Sequence, residues 1–148
     1  MDITEIPFHN FLGLQRSDND RYILKLEDKE EYLNHLGTIH ASVLFALAES
    51  TSGEFLLREF KDHDLDVIPV VRKAEIKYSK SVNGQIFSKA DFVNTDVNRI
   101  LEEILPKGRV LLKIKVDIVN SDFERVMTGI FEWFLAMNVP SSGDYLGC

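Results

Sequence analysis

Glu49 ends the run Asn34-His35-Leu36-Gly37-Thr38-Ile39-His40-Ala41-Ser42-Val43-Leu44-Phe45-Ala46-Leu47-Ala48-Glu49, in which a turn ending at Gly37 feeds a long apolar helix. A carboxylate among apolar residues is costly unless it is paired, hydrated or used in chemistry. A histidine, His40, stands at the mouth of that helix. The first amides of a helix lack internal acceptors and carry the positive end of its dipole. The N–H of Ala41 is therefore suited to hold a developing oxyanion, and a carboxylate with such a donor could drive hydrolytic attack on a carbonyl.

The spacing constrains how the two groups could cooperate. Eight residues separate Ala41 from Glu49, about 12 Å along a helix axis, so one carbonyl cannot touch both within a single chain. Two copies of the helix packed antiparallel across a dyad would bring Ala41 of one near Glu49 of the other, giving a homodimer with two equivalent sites. The competing reading leaves Glu49 as a hydrated carboxylate or in a pair with Arg or Lys. His40 either orients a substrate carbonyl or holds the helix start, and Asn34 suits a turn. His35 and His40 lie five apart, off a common helix face, with no Cys or Asp cluster beside them, so no metal site is expected. There is no glycine-rich phosphate loop. Ser42, Ser50, Thr51 and Ser52 lack a partnering His–Asp arrangement in the sequence.

The elements that would position these groups are legible from periodicity. Residues 1–20 form a lead-in, with Phe8, Phe11 and Leu12 packing as a short helix or coil. Tyr22, Leu24 and Leu26 alternate with charged residues, as in a strand, and Asp28 to Tyr32 is a charged loop. From Thr38, a plausible N-cap, apolar residues recur at helical spacing to about Phe60 on nearly every face, so the helix should be buried almost all round. Gly53 inside it costs ~1 kcal/mol relative to Ala, which points to close approach of another backbone. Strands follow at Ile68 to Ser79 and Ile86 to Val93, separated by the hairpin-type turn signal Asn83-Gly84. Val97, Ile100, Leu101 and Ile104 mark a short amphipathic helix within Thr95 to Leu105, ended by Pro106 and Gly108. Two more strands follow: Val110 to Ile118, and one carrying Met127, Phe131, Trp133, Leu135 and Met137. One near-fully apolar helix is the natural cover for such a sheet, which would wrap around it.

The chain has 148 residues, 45% of them hydrophobic with ten Phe, and a net charge of −7. It reads as one domain, 1–148, with a sizeable core and a loose tail at 140–148. The acidic balance argues against nucleic acid as a partner. The single cysteine, Cys148, allows no intrachain disulfide. No apolar run approaches the ~18 residues of a membrane span, and the first residues lack a signal-peptide pattern. A cytoplasmic protein is expected.

The segment from Asn34 to His40, followed by Ala46-Leu47-Ala48-Glu49, resembles hotdog-fold acyl-CoA thioesterases of the phenylacetate-pathway type. Their pattern is Asn, then Leu-Gly-Thr-Val-His-Gly-Gly, a short apolar run, and Ala-Leu-Ala-Asp or Ala-Leu-Ala-Glu. The likeness continues through Ile76-Lys-Tyr-Ser-Lys-Ser-Val-Asn-Gly84 and spans residues 20–138. The small helix before Gly108-Arg-Val-Leu-Leu is similar to a branch of hotdog domains with a helical insertion at this point. The resemblance implies an α+β hotdog fold, an antiparallel sheet around one long helix, assembled as a dimer or a dimer of dimers. It implies hydrolysis of an acyl-CoA or related acyl thioester, with coenzyme A as part of the substrate and no other cofactor. Glu49 takes the carboxylate role, as nucleophile or as base for water, and the Ala41 amide the oxyanion role. His40 and Asn34 match positions flanking the thioester carbonyl, and Gly53 a small position near the attacking water.

Phe45, Phe92 and Phe131 are then expected to line an acyl groove between subunits, with Arg72, Lys73 or Lys77 meeting nucleotide phosphates. The family's Gly-Gly is Ala41-Ser42 here, so a polar Ser42 stands where close approach of substrate is expected. That departure motivates an alternative, a non-catalytic acyl-ligand-binding or scaffold dimer. A third reading, a hotdog dehydratase acting on 3-hydroxyacyl thioesters, needs a catalytic His and an acid arranged differently along the helix.

Overall fold

The computed structural model describes residues 1–138; the tail expected at 140–148, with Cys148, lies outside the described residues. In chain order the helices are α1 (Pro7–Leu12), α2 (Ala41–Phe60) and α3 (Val97–Lys107). The strands are β1 (Gln15–Arg16), β2 (Leu24–Leu26), β3 (Val67–Tyr78), β4 (Ile86–Phe92), β5 (Arg109–Val119) and β6 (Arg125–Met137). They form one sheet in the order β1-β2-β4-β5-β6-β3, with every neighbouring pair antiparallel. The sheet wraps α2 in the hotdog arrangement.

Period two carries the core. Along β5, Val110, Leu112, Ile114, Val116 and Ile118 are buried, and the residues between them face outward. They meet Leu44, Leu47, Ala48, Phe55 and Leu56 of α2, and each of the larger side chains contributes about 1.5–3 kcal/mol of burial. Three successive hydroxyl residues stitch the helix to its surroundings. Thr51 Oγ1 lies 2.5 Å from Ser88 Oγ of β4, Trp133 Nε1 of β6 donates to Ser52 Oγ at 2.9 Å, and Ser50 Oγ lies 3.0 Å from His9 Nε2 of α1.

Several expectations need correction. The N-cap of α2 is His40, not Thr38, because the chain enters the helix two residues later. Thr38 is instead bound up with Asn34 in the preceding loop. The helix is not buried all round: Ala41, Ser42 and Phe45 in its first turns are exposed. Asn83-Gly84 does not close a hairpin. Gly84 does turn the chain, with φ +80°, but β3 pairs with β6 and β4 pairs with β2 and β5. The 79–85 segment therefore crosses between distant strands, held where the Ser79 and Lys80 amides both donate to Val126 O. A turn signal is local, whereas strand pairing is decided by which faces cover α2. Pro106 does not end α3 but sits in its last turn, and the stop is Gly108, at φ +75°, whose N–H bonds Ile104 O at 2.7 Å. In the lead-in, Leu12 packs into the core, while Phe8 and Phe11 are exposed.

Candidate active site

Three acids lie in α2; Glu59 is exposed, and the other two differ in what they touch. Glu54 is 4% exposed, and its Oε1 receives Arg16 at 3.2 Å and Arg58 at 3.1 Å. Two guanidinium groups thus meet its charge at Oε1, while Oε2 is buried without a hydrogen-bond partner among the described residues. Glu49 is half-buried, yet among the described residues nothing hydrogen-bonds its carboxylate and no Lys or Arg pairs with it. Burial pushes its carboxyl above the usual range, and the nearby His9 pulls partly back. Its carboxylate opens into a cavity of about 790 Å³ that runs along one face of α2 through Gly53, Leu56 and Phe60, with Trp133 and Leu135 of β6 opposite. An unpaired, partly desolvated acid facing a largely apolar cavity is the pattern of a working carboxylate.

At the other end of the helix face, the loop before α2 is fixed by backbone bonds. Ile39 N donates to Val82 O at 2.9 Å and His40 N to Tyr32 O at 2.8 Å. Asn34 Oδ1 accepts from the amides of Leu36 and Thr38 at 2.9 and 3.1 Å, and Asn34 Nδ2 donates to Thr38 Oγ1 at 3.0 Å. Asn34 thus shapes the turn. His40 Nδ1 accepts from Ser42 N at 3.0 Å. That bond fixes the neutral tautomer, leaving the proton on Nε2, which is exposed at the helix mouth. With the Ser42 amide taken by His40 and the Val43 amide by His40 O, the Ala41 N–H is the amide left free in this first turn among the described residues. Tyr78 reaches across from β3, its hydroxyl 3.3 Å from Ala41 O.

Gly53 lies one turn beyond Glu49 on the same cavity wall. No backbone approaches it, contrary to expectation: a Cβ there would meet the Trp133 ring edge at 3.6 Å. The absent side chain keeps the cavity open beside the acid. Ser42 and Phe45 are exposed near the helix mouth, Phe45 also touching the Phe131 ring at 5.8 Å. Phe131 is fully buried and Phe92 packs edge-on against Phe55 at 4.8 Å, so neither lines the cavity beside Glu49. Arg72, Lys73 and Lys77 are exposed along β3 and also lie outside that cavity. Arg72 sits 5.7 Å over the Phe134 ring and Lys73 is 3.5 Å from Glu75.

Two residues escaped the sequence reading. Ser50 does have a histidine partner, His9, although the other ring nitrogen of His9 bonds a backbone carbonyl, Ile3 O at 2.9 Å, and not a carboxylate. Ser50 also donates to Ala46 O at 2.7 Å, so it is no triad. Nothing in the spacing links residues forty apart; the available signal is Ile3, Ile6 and His9 at intervals of three. Glu54 was readable from Arg58 at i+4.

Residues 14–135 match the family model described as "Domain of unknown function (DUF4442)". The chain belongs to the DUF4442 family. No curated protein matches the sequence. Among solved structures, this DUF4442 chain is similar to a Pseudomonas aeruginosa protein of unknown function described as "Probable Thioesterase", with TM-score 0.77 and 21% identity over 92% of this chain and 91% of that one. It is also similar to a Haemophilus influenzae thioesterase, with TM-score 0.69 and 14% identity over 91% and 86%. A third likeness is to a Streptococcus pneumoniae "Hypothetical Thioesterase Protein" with coenzyme A, with TM-score 0.61 and 19% identity over 84% and 87%. At these identities the likenesses show that this DUF4442 chain has the hotdog fold.

Proposed function

We propose that the protein is a thioesterase that hydrolyses an acyl-CoA or a related acyl thioester as a homodimer. The observation that carries this reading is Glu49, a carboxylate held unpaired at the mouth of an apolar cavity while its neighbour Glu54 is doubly paired. In the simplest step Glu49 takes a proton from water as the water oxygen bonds the carbonyl carbon. The oxyanion is held by the Ala41 N–H of the other protomer, assisted by the His40 Nε2–H. Collapse breaks the C–S bond, and the thiolate leaves with the proton returned by Glu49, giving a free acid and a thiol. The carrier's phosphates would meet Arg72, Lys73 or Lys77. The coenzyme A bound to the pneumococcal relative supports that class of carrier.

Dimerisation is supported by β3. It is a twelve-residue edge strand with one side unpaired, and Ile68 and Tyr78 are exposed along it. A long, open edge invites pairing with another chain.

The test is thiol release over a panel of acyl-CoA thioesters by the wild type beside Glu49→Gln. Turnover that falls by about 100-fold or more in the variant is expected for loss of a general base. Equal turnover removes Glu49 from the mechanism. Saturable binding without any thiol release would instead make the protein an acyl-ligand binder.

A further inference from the structure

We propose that residues 1–12 form the specificity wall of the Glu49 cavity, pinned in place by His9, and that they select a long apolar acyl group. This rests on the thioesterase reading for its substrate but not for its geometry. The matched family domain begins at residue 14, so the wall is supplied by a segment outside it. Met1, Ile3, Ile6 and His9 all line the cavity. Ile3, Ile6 and His9 fall three residues apart, which turns them to one side, while Phe8 and Phe11 are exposed.

Ile3 is only 3% exposed, yet it does not belong to the main core cluster. It lines the cavity instead. The segment consists of a three-residue 3-10 turn (Ile3–Glu5) and the six-residue α1, both far too short to hold their shape alone.

Four contacts fix it. His9 Nδ1 donates to Ile3 O at 2.9 Å, which folds the segment on itself, and His9 Nε2 meets Ser50 Oγ at 3.0 Å, which fastens it to α2 next to Glu49. Asp2 pairs with Arg16 at 2.9 Å, and Arg16 in turn reaches Glu54. The Tyr32 hydroxyl donates to Leu12 O at the far end. His9 is buried at the centre of this arrangement. It is a positioning residue: its ring holds the wall rather than touching a reacting atom.

The cavity so closed runs along α2 from Glu49 to Lys61, about 18 Å of helix rise. Its middle is Leu56, Leu57, Phe60, Leu65 and Trp133, and its far rim carries Lys61, His63, Asp64 and Asp66. An elongated apolar chain with its carbonyl at Glu49 fits that gradient; a short or hydroxylated acyl group leaves the apolar stretch wet.

The experiment measures kcat/KM for acyl-CoA thioesters from acetyl to palmitoyl with wild type, Ile6→Trp, Ile6→Ala and His9→Ala. Folding of each is checked by circular dichroism; Ile6 is half-buried, not part of the closed core. The wild type should prefer long chains. Ile6→Trp should lower the long-to-short ratio by about tenfold, the scale of a changed hydrophobic pocket. Ile6→Ala should raise the ratio, and His9→Ala should flatten the profile rather than scale it down evenly. A profile of unchanged shape in the Ile6 variants overturns the proposal.

If the wild type releases no thiol from any substrate, the thioesterase reading fails. The wall is then read with the neutral apolar fluorophore N-phenyl-naphthylamine. Binding by the wild type that weakens about tenfold in Ile6→Trp upholds the wall, and equal or absent binding overturns it.

Discussion

Glu49 and Glu54 sit five residues apart on the same helix, and the contrast between them is what supports the proposed role of Glu49. Glu54 is neutralised by two guanidinium groups. Glu49 has none, and burial makes its ionised form costly in the fold. Its proton is held more tightly in the folded than in the unfolded chain. Wild-type stability should therefore fall as pH rises from about 4.5 through the raised value, and the cost is complete above it. Glu49→Gln removes that cost. Its melting temperature should exceed the wild type's near neutral pH and match it well below 4.5, while thiol release is lost; paired thermal melts at the two pH values check this. The same shift places the acid limb of the pH–rate profile above the ordinary carboxylate range, because the base works only when ionised. A limb at the usual carboxylate value would mean that another group takes the proton.

The helix α2 departs from the local rules of a stable helix at two places, its N-cap and Gly53. Its N-cap is a histidine, a residue outside the favoured Ser, Thr, Asp and Asn set. His40→Ala should cost about 1 kcal/mol of stability through the lost Ser42 amide partner, measured by denaturant unfolding. Its catalytic effect should exceed that loss, since the same ring offers its Nε2–H at the helix mouth. Gly53 costs helix stability to leave space beside Glu49. Gly53→Ala meets only an ordinary contact with Trp133. It should stabilise the fold by up to ~1 kcal/mol while raising KM for bulky acyl groups. A variant that is more stable and equally active would show that the space is not used.

For the molecule as a whole, the open edge of β3 and the exposed first turn of α2 need the same explanation. A partner would cover β3, and the Ala41 amide would then have a Glu49 to work with. Ile68→Lys extends charge to the end of β3 that now lacks it, the device natural proteins use to keep edges unpaired. It should shift the protein towards monomer in analytical ultracentrifugation, leave the circular dichroism unchanged, and reduce thiol release in proportion to the dimer lost. Full activity in a monomer would end the two-chain mechanism. No helix among the described residues is long and apolar enough to cross a membrane.

The amino-acid order was enough for whatever depends on near neighbours. Alternation located β5, helical spacing located α2 and α3, and the motif around Asn34 to Glu49 marked the acid, the helix mouth and the fold family. It was not enough for anything that depends on which distant segments meet. Asn83-Gly84 turned the chain without pairing its flanking strands, because pairing follows the covering of α2. His9 reached Ser50 across forty residues with no trace in the spacing. Glu49 and Glu54 are alike as letters; Arg58 at i+4 marked a local partner for Glu54, but only folding brought Arg16 from β1 to it and set a cavity beside Glu49. Burial and electrostatic partnership are sums over neighbours in space, and folding alone chooses those neighbours.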